Sequence, residues 1–515
     1  MFILLYIIVS VIYIWILLGG RYRHFTHMLQ LNSYYNSRYG KYLAKNLRDV
    51  FDFKAILSLL AYAVIFFGSF PVISAYALIY LLLEEVFPKK KEKKPLVVTS
   101  RVKRLFVTEG IIIACLLSAG FFVIGPLRPV LFFAAAFISP LAVFFANVIN
   151  APIEYFIRRK FYKNAQEKLR AMDDLTVIGV TGSYGKTSVK NFLTELLSEK
   201  YTTLMTPQSF NTTLGVVRTV NENLTPRHEV FVVEMGARNV GDIKEICDLA
   251  LPKAAVITSI GPQHLETFGS IENVIKTKFE LCDAVGEGTK FLNYDNEYIR
   301  NAPKSGNIVT YGTTEDCDYY AKDITVSPYG SEFVLVTPNG EKKMRTKLLG
   351  VHNVVNLVGS AAVACVYGVS LDSIALAMNR IESVEHRLQL KKSQGCTIID
   401  DAYNANPAGA KSALQTLSAF SGTRIVITPG LVELGEREEE ENEKLGALCI
   451  ECADHVIFVG EKQAAALMRG AEKVDGYAEK AVVAKDIYEA FDMMRQIPGE
   501  DKIVLLENDL PDNYL

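Results

Sequence analysis

Hydrophobic and polar positions follow two different rhythms along this chain. Over the first 150 residues the apolar side chains come in long unbroken runs: Phe2 to Gly20, Ala55 to Leu83, Leu105 to about Gly125 with only Glu109 near its entrance, and Pro129 to Asn150. A helix needs about 20 such residues to cross the hydrocarbon of a bilayer. The pattern therefore predicts four transmembrane helices, 2–20, 55–83, 105–125 and 129–150. From Asp173 onward it changes to short β-branched runs separated by amphipathic stretches, the signature of an α/β sheet protein. Strands are expected at 175–180, 230–233, 254–258, 397–400, 424–428, 455–459 and 502–506, with a β-rich insertion around Asp318–Leu349. Helices should start near Asn353, follow Pro407 and run through Glu441–Ala453. The expected fold class is an α-helical membrane region (1–170) followed by two α/β domains: a P-loop ATPase-like central domain (171–384) and a smaller Rossmann-like C-terminal domain (385–515).

Composition sharpens this division. Half of the 515 residues are hydrophobic and 22% are charged, which excludes a disordered or collagen-like chain. Residues 1–170 carry 22 Lys and Arg against 8 Asp and Glu, and the remainder 33 against 49. The third and fourth runs are separated by little more than Pro126, Leu127 and Arg128, so they form a hairpin whose outer ends share a side. That side holds Lys89 to Lys94 and Arg158 to Lys160. By the positive-inside rule it faces the cytoplasm, together with everything after residue 150. Loop 21–54 would then face outward with seven Lys and Arg if 55–83 crosses once; a re-entrant or double pass turning near Gly68-Ser69-Phe70-Pro71 would bring it inside, and both arrangements stay open. Lysines abutting a span read as an anchor on anionic lipid, not as a nucleic-acid patch. The first run is followed by Arg21 and Arg23 without a small-residue cleavage pattern, so no cleavable leader is expected. Eight scattered cysteines suggest reduced thiols, and Cys449 and Cys452, three apart on one helix, have no second pair with which to bind zinc. The expected location is the cell membrane, multi-pass, with cytoplasmic catalytic domains.

The chemistry begins at residue 181. Thr181-Gly182-Ser183-Tyr184-Gly185-Lys186-Thr187-Ser188 follows a strand and opens a helix, which reads as a phosphate-binding loop. Its glycines let backbone N–H groups approach phosphate, Lys186 supplies a point charge, and the Thr187 hydroxyl can take Mg²⁺. Val180 stands where the general pattern wants the first glycine. Two later strands lead to residues able to hold a metal, Glu234 in Glu234-Met235-Gly236 and His264 in Gly261-Pro262-Gln263-His264. Ligands in open α/β sheets gather at those strand ends.

These segments, with Asn211, Phe268-Gly269-Ser270, Lys278-Phe279-Glu280, Gly350-Val351-His352-Asn353-Val354-Val355-Asn356, His386-Arg387, Asp401-Ala402-Tyr403-Asn404-Ala405-Asn406-Pro407 and Glu433-Leu434-Gly435, resemble the Mur ligases from residue 174 to the end. Within that family the likeness is to the MurF-like type, which joins D-alanyl-D-alanine to a UDP-N-acetylmuramoyl tripeptide. The resemblance implies ATP and two Mg²⁺ ions as cofactors. Thr187 and Glu234 would hold one ion and His264 would help hold the second, with a carbamate on Lys278 as an anionic ligand. It also implies that Thr181, Gly182, Ser183, Gly185, Lys186, Thr187 and Ser188 bind phosphate, that Asn353 and Asn356 contact adenine and Asp401 ribose, and that Arg387 reaches the γ-phosphate. Lys186, Lys278, His264 and Arg387 are the catalytic set this reading names.

The chain also departs from the family pattern. Membrane segments stand where members carry a uridine-nucleotide-binding domain, Ser259 replaces an Asn, Asn442 replaces a His, and Glu507-Asn508-Asp509-Leu510-Pro511-Asp512-Asn513-Tyr514 follows the last strand instead of a Lys-Gly-Ser-Arg-like loop. That last segment either lines an acceptor-side cleft or is a solvated tail. Three functions are weighed: a membrane-anchored ligase acting on a peptidoglycan precursor, an amide ligase of the same fold extending another cell-envelope peptide or polymer, and a membrane scaffold that binds ATP without turnover. The intact lysine, metal and arginine set argues against the scaffold. The expected partners are a peptidoglycan precursor or related peptide and the lipid bilayer, with no nucleic acid; the oligomeric state is unknown.

Overall fold

The computed structural model describes residues 18–50, 95–119 and 137–509, apart from 209, 264, 394, 404, 433, 461, 462 and 500, together with 11, 14, 15 and 135. The chain divides into two compact units, 1–160 and 161–515. The expected spans 2–20 and 55–83, the cluster Lys89–Lys94 and the turn near Gly68 lie wholly or largely outside the described residues, as do parts of 105–125 and 129–150.

In the first unit the expectation of a loop over 21–54 is corrected. The segment is helical over Arg21–Leu31, Asn36–Lys45 and Leu47–Val50. Tyr22, Phe25 and Leu29 recur at helical spacing and are fully buried, and the Tyr22 hydroxyl donates to Ala135 O at 2.8 Å. Helix Ser100–Ser118 begins ahead of the expected span, because the Thr99 side chain caps it by accepting from Val102 N. The helix expected to stop at Asn150 runs on as Ser139–Arg170, through Pro152 and the basic cluster. Beyond Pro152 this stretch is rich in Arg, Lys, Gln, Glu and Ala, which favour helix. It is the one helix among the described residues that is long and apolar enough to cross a membrane.

Within the apolar core of this unit lie several hydrogen-bonded polar groups. The Arg21 guanidinium donates to Ser139 Oγ at 2.9 Å, Thr26 donates to the fully buried Glu109 at 2.8 Å, and Asn147 donates to Tyr34 O and Asn36 Oδ1. Arg104 pairs with Glu154 at 2.7 Å. Meanwhile Leu141, Phe145, Ile149, Ile153 and Phe156 on the long helix face outward, Phe156 being 66% exposed.

The second unit contains two sheets. The first has nine strands: β1 (Thr176–Thr181), β2 (Thr203–Met205), β3 (Val230–Glu234), β4 (Ala254–Ile257), β5 (Thr289–Asn293), β6 (Ile308–Gly312), β7 (Tyr319–Ser327), β8 (Gly330–Thr337) and β9 (Gly340–Thr346). Their order is β2-β3-β1-β4-β5-β6-β7-β8-β9, parallel through β7 and antiparallel at β8 and β9, where the β-rich insertion lies. Helices Lys186–Leu197 and Val351–Val366 pack on one face, with Thr213–Glu222, Asp242–Ala250 and Ile271–Val285 on the other. Covered on both sides, β3 is buried throughout, which is why it reads as an uninterrupted apolar run ending in Glu234.

The second sheet has six strands: β10 (Gln389–Ser393), β11 (Cys396–Asp401), β12 (Thr423–Thr428), β13 (His455–Val459), β14 (Ala481–Ala484) and β15 (Lys502–Glu507). Their order is β10-β11-β15-β12-β13-β14, parallel except for β10. Helices Pro407–Ser418, Glu438–Cys452 and Ala464–Ala471 cover one face and Ile487–Gln496 the other. The sequence gives no strong signal for β10 or β14, two short edge strands. All eight cysteines are free, and Cys449 lies in the core.

Candidate active site

Strand β1 lies between β3 and β4, so three adjacent strands deliver their carboxyl ends to one place. The phosphate loop leaves β1 there. Val180, in the position where the general motif has glycine, is a fully buried strand residue paired in register with Glu234. A Cβ on Gly182 would run into Thr258 Oγ1, and one on Gly185 would come within 2.9 Å of Asn356 Oδ1. Gly185 also takes φ +80, a left-handed conformation that favours glycine, and caps the helix beginning at Lys186. A loop packed this closely offers backbone N–H groups to an anion at a helix N-terminus. Thr258 and Ser259 fix its shape by donating to Tyr184 O, at 2.5 and 3.2 Å, so the serine found in place of asparagine still binds the loop. Ser183 bonds with Gly261 in both directions.

Lys186 donates to Gly182 O and Ser183 O, each at 2.8 Å. Burial pushes its ammonium down to about 8; Glu234 opposes that shift and Arg387 reinforces it. Thr187 donates to Glu234 Oε1 at 3.1 Å, and the Asn211 amide donates to the same oxygen at 3.1 Å. The Glu234 backbone N–H is held by Thr206. This carboxylate and hydroxyl, beside glycines that leave room for phosphate, are a hard oxygen donor set suited to Mg²⁺ on a nucleotide. Lys278 is 2% exposed, and its ammonium is held well below the usual lysine range, first by burial and then by Lys186. His264 lies outside the described residues.

Asn353 and Asn356 sit on the first turns of helix Val351–Val366, both nearly buried, Asn353 donating to Leu349 O at 2.8 Å. His352 bonds Ser412 at 2.6 Å, joining this helix to the second sheet's Pro407–Ser418 helix. Its imidazole is pushed down to about 4 by burial and then by Arg387. Arg387 is thus in electrostatic reach of Lys186 and His352. Its neighbours His386 and Leu388 stand at φ +58 and +44, strained for residues with a Cβ, and are tied to Asp400 Oδ2 (2.8 Å) and Asp401 Oδ1 (3.2 Å). The guanidinium lies 4.5 Å from the Tyr403 ring centre.

The last strand runs through Glu507, and beyond it Asn508 and Asp509 are the described residues of the Glu507–Tyr514 segment, the rest of which lies outside the described residues. Glu507 pairs in register with Asp401 and is 1% exposed, and neither of its carboxylate oxygens has a hydrogen-bond partner. Asn508 donates to Gly430 O at 2.6 Å and accepts from Ala405 N. Burial raises Asp401 to about 6 and Glu507 well above the usual carboxylate range. Asn442 takes up a structural position: its amide accepts from Leu431 N and donates to Leu431 O and Glu438 O.

Sequence comparison gives these positions a family. The Mur ligase middle domain matches residues 180–364, and the Mur ligase glutamate ligase domain matches 386–507. UDP-N-acetylmuramoyl-tripeptide–D-alanyl-D-alanine ligase of Escherichia coli K12 is 32% identical over 316 residues, 60% of this chain and 69% of that protein. The chain belongs to the Mur ligase family. It is an ATP-dependent ligase, as the members of that family are, and its relatives use ATP and Mg²⁺. The Bacillus subtilis protein of the same description is 31% identical over 61% of this chain and 69% of its own length. Among solved structures, MurF from Acinetobacter baumannii superposes with a TM-score of 0.62 at 29% identity, over 68% of this chain and 77% of that one. MurF from Thermotoga maritima in complex with ADP gives 0.61 at 26% identity, over 68% and 80%. In this Mur ligase several of the residues read from the sequence come together: Thr187 bonds Glu234, Lys186 is in electrostatic reach of Glu234, Lys278 and Arg387, and Arg387 of Asp401. The sequence reading did not single out Lys190, whose ammonium lies 3.0 Å from Glu234 Oε2.

Proposed function

We propose that the chain is a membrane-anchored ligase that adds D-alanyl-D-alanine, or a similar amine, to the peptide of a peptidoglycan precursor. A nucleotide-binding domain would occupy 171–384 and a closing domain 385–515. The observation that carries this reading is the Thr187–Glu234 pair beside Lys186, at the strand edge where the MurF relatives align. A substrate carboxylate attacks the γ-phosphorus to give an acyl phosphate and ADP; the amine then attacks the acyl carbon and releases phosphate. Charge is the main obstacle, since a carboxylate must approach a polyanion. Two Mg²⁺ ions bound with the nucleotide would neutralise and polarise the phosphates. Thr187 and Glu234 would hold one and His264 with a carbamylated Lys278 the other. Lys186 would sit on the β- and γ-phosphates, Asn353 and Asn356 on adenine and Asp401 on ribose. Arg387 would bring its planar fork to the γ-phosphate from the second sheet, making turnover depend on closure.

Anchoring is supported by the apolar runs in the sequence of the first unit and by the outward apolar face of helix Ser139–Arg170. A surface of Leu141, Phe145, Ile149 and Phe156, over an interior whose polar groups are hydrogen-bonded to one another, suits lipid as solvent. A second reading, ligation to another cell-envelope peptide, is favoured by the pair of acids Asp401 and Glu507 side by side at the ends of β11 and β15, where the family pattern has a basic loop.

The test supplies detergent-purified protein with ATP, Mg²⁺ and UDP-N-acetylmuramoyl tripeptide, with and without D-alanyl-D-alanine, and follows phosphate release and product mass. Release that needs both substrates, with a product heavier by the dipeptide, supports the reading. Release only with a lipid-linked precursor or another envelope peptide moves the substrate to the second reading, and release with no acceptor at all contradicts both. Alkaline carbonate washing checks the anchor: the chain should stay with the membrane pellet, and full extraction would contradict anchoring.

A further inference from the structure

The two oxygens of Glu234 have different surroundings. Oε1 takes the Thr187 hydroxyl and the Asn211 amide. Oε2 faces the Lys190 ammonium at 3.0 Å, with both side chains 1% exposed. Lys190 stands four residues beyond Lys186, so both amines project from one face of the same helix. Its Nζ also donates to Gln208 O at 2.6 Å, at a residue with φ +45, two residues beyond the Thr206 that holds the Glu234 N–H. One lysine therefore ties the phosphate-loop helix, the end of β3 and the 206–211 segment to a single carboxylate.

We propose that Lys190 sets the charge of the metal site, so that a divalent cation enters with its nucleotide and not alone, and that it fixes Oε1, beside Thr187, as the oxygen offered to the metal. The inference rests on reading Thr187 and Glu234 as the metal-holding pair. A free cation arriving at that pair meets one carboxylate and two nearby ammonium groups, Lys186 and Lys190, and the sum is repulsive. A nucleotide's phosphates reverse the sum. The charge of Lys190 matters as well as its hydrogen bond to Gln208 O, which a neutral amide could also make. Lys190 is a positioning residue here, acting through Glu234.

The experiment measures Mn²⁺ binding to the full-length, detergent-purified protein by electron paramagnetic resonance, with no nucleotide and with ADP. The wild type should bind Mn²⁺ at least about tenfold more tightly with ADP than without, and equal affinities would overturn the proposal whatever the variants do. Without nucleotide, Lys190→Arg should match the wild type, while Lys190→Gln should bind Mn²⁺ about tenfold more tightly or better. A purely structural lysine predicts the opposite, a loosened site, so affinity in Lys190→Gln that is unchanged or weaker also overturns it. The gain should vanish in the double variant Lys190→Gln, Glu234→Gln. A gain that survives there places the metal elsewhere and overturns the Thr187–Glu234 reading itself, which separates that failure from failure of the Lys190 proposal alone.

Discussion

Each sheet of the catalytic unit ends in a carboxylate sealed from water, and the two are treated in opposite ways. Glu234, at the end of β3, is surrounded by Thr187, Asn211 and Lys190. Glu507, at the end of β15, lies beside another acid, Asp401, and its oxygens receive no hydrogen bond. A buried charge persists when donors and a counter-charge replace its water; without them the neutral form is favoured. Glu234 is thus held among donors and an ammonium where it can meet a cation, whereas burial and Asp401 outweigh Arg387 at Glu507 and push its carboxyl well above the usual carboxylate range. The contrast separates the edge where phosphate chemistry is expected from the edge where this chain departs from its relatives.

The largest expected effect breaks the first edge. Lys186→Ala should lower ATP turnover by on the order of 10³-fold while leaving the melting profile close to wild type, as expected for a donor aimed at transferring charge. Near-normal turnover would refute the phosphate-loop assignment. A smaller effect sharpens the metal side. Lys278→Ala should cost about ten- to a hundredfold in activity and recover in part with added formate or acetate, small anions that can stand in for a carbamate. If added carboxylate makes no difference, Lys278 is not carbamylated.

The second edge is probed through stability. Asp401 and Glu507 have raised values in the folded chain, so the folded state holds protons that the unfolded state releases. Their contribution is fullest below the ordinary carboxylate range and is lost as pH rises through about 6 for Asp401, and higher for Glu507. Glu507→Gln removes that liability and should stabilise the protein by about 1–3 kcal/mol at pH 8, with little gain near pH 4. Melting curves at the two pH values decide it, and an equal shift at both would mean that the carboxylate is not the source.

The active-site motifs were legible because they are local. A strand, a glycine turn and a Lys-Thr helix start are contiguous in sequence, and the strand at His455–Val459 was readable from its apolar run alone. Lys190 was not, because four residues past Lys186 it looks like any polar position on an amphipathic helix; its partner is fixed only by β3 pairing with β1. β10 escaped because Gln389-Leu390-Lys391-Lys392-Ser393 is polar, as an antiparallel edge strand can be. The helices in 21–50 were hidden by counting charge. The segment 21–54 reads only as the link between two apolar runs, with seven basic residues to be placed on one side or the other, while the apolar spacing of Tyr22, Phe25 and Leu29 specifies a packed helix. Glu507 was visible as a departure from the family, but its burial and its pairing with Asp401 depend on the register of β15 against β11.

The most direct test of the central claim follows an atom. Ligation should be run with the substrate carboxylate labelled with ¹⁸O, and the released phosphate analysed by mass spectrometry. Attack by that carboxylate on the γ-phosphorus predicts one ¹⁸O in each phosphate released. Unlabelled phosphate formed alongside ligated product would contradict the acyl-phosphate route, and with it the roles assigned to Lys186, Glu234 and Arg387.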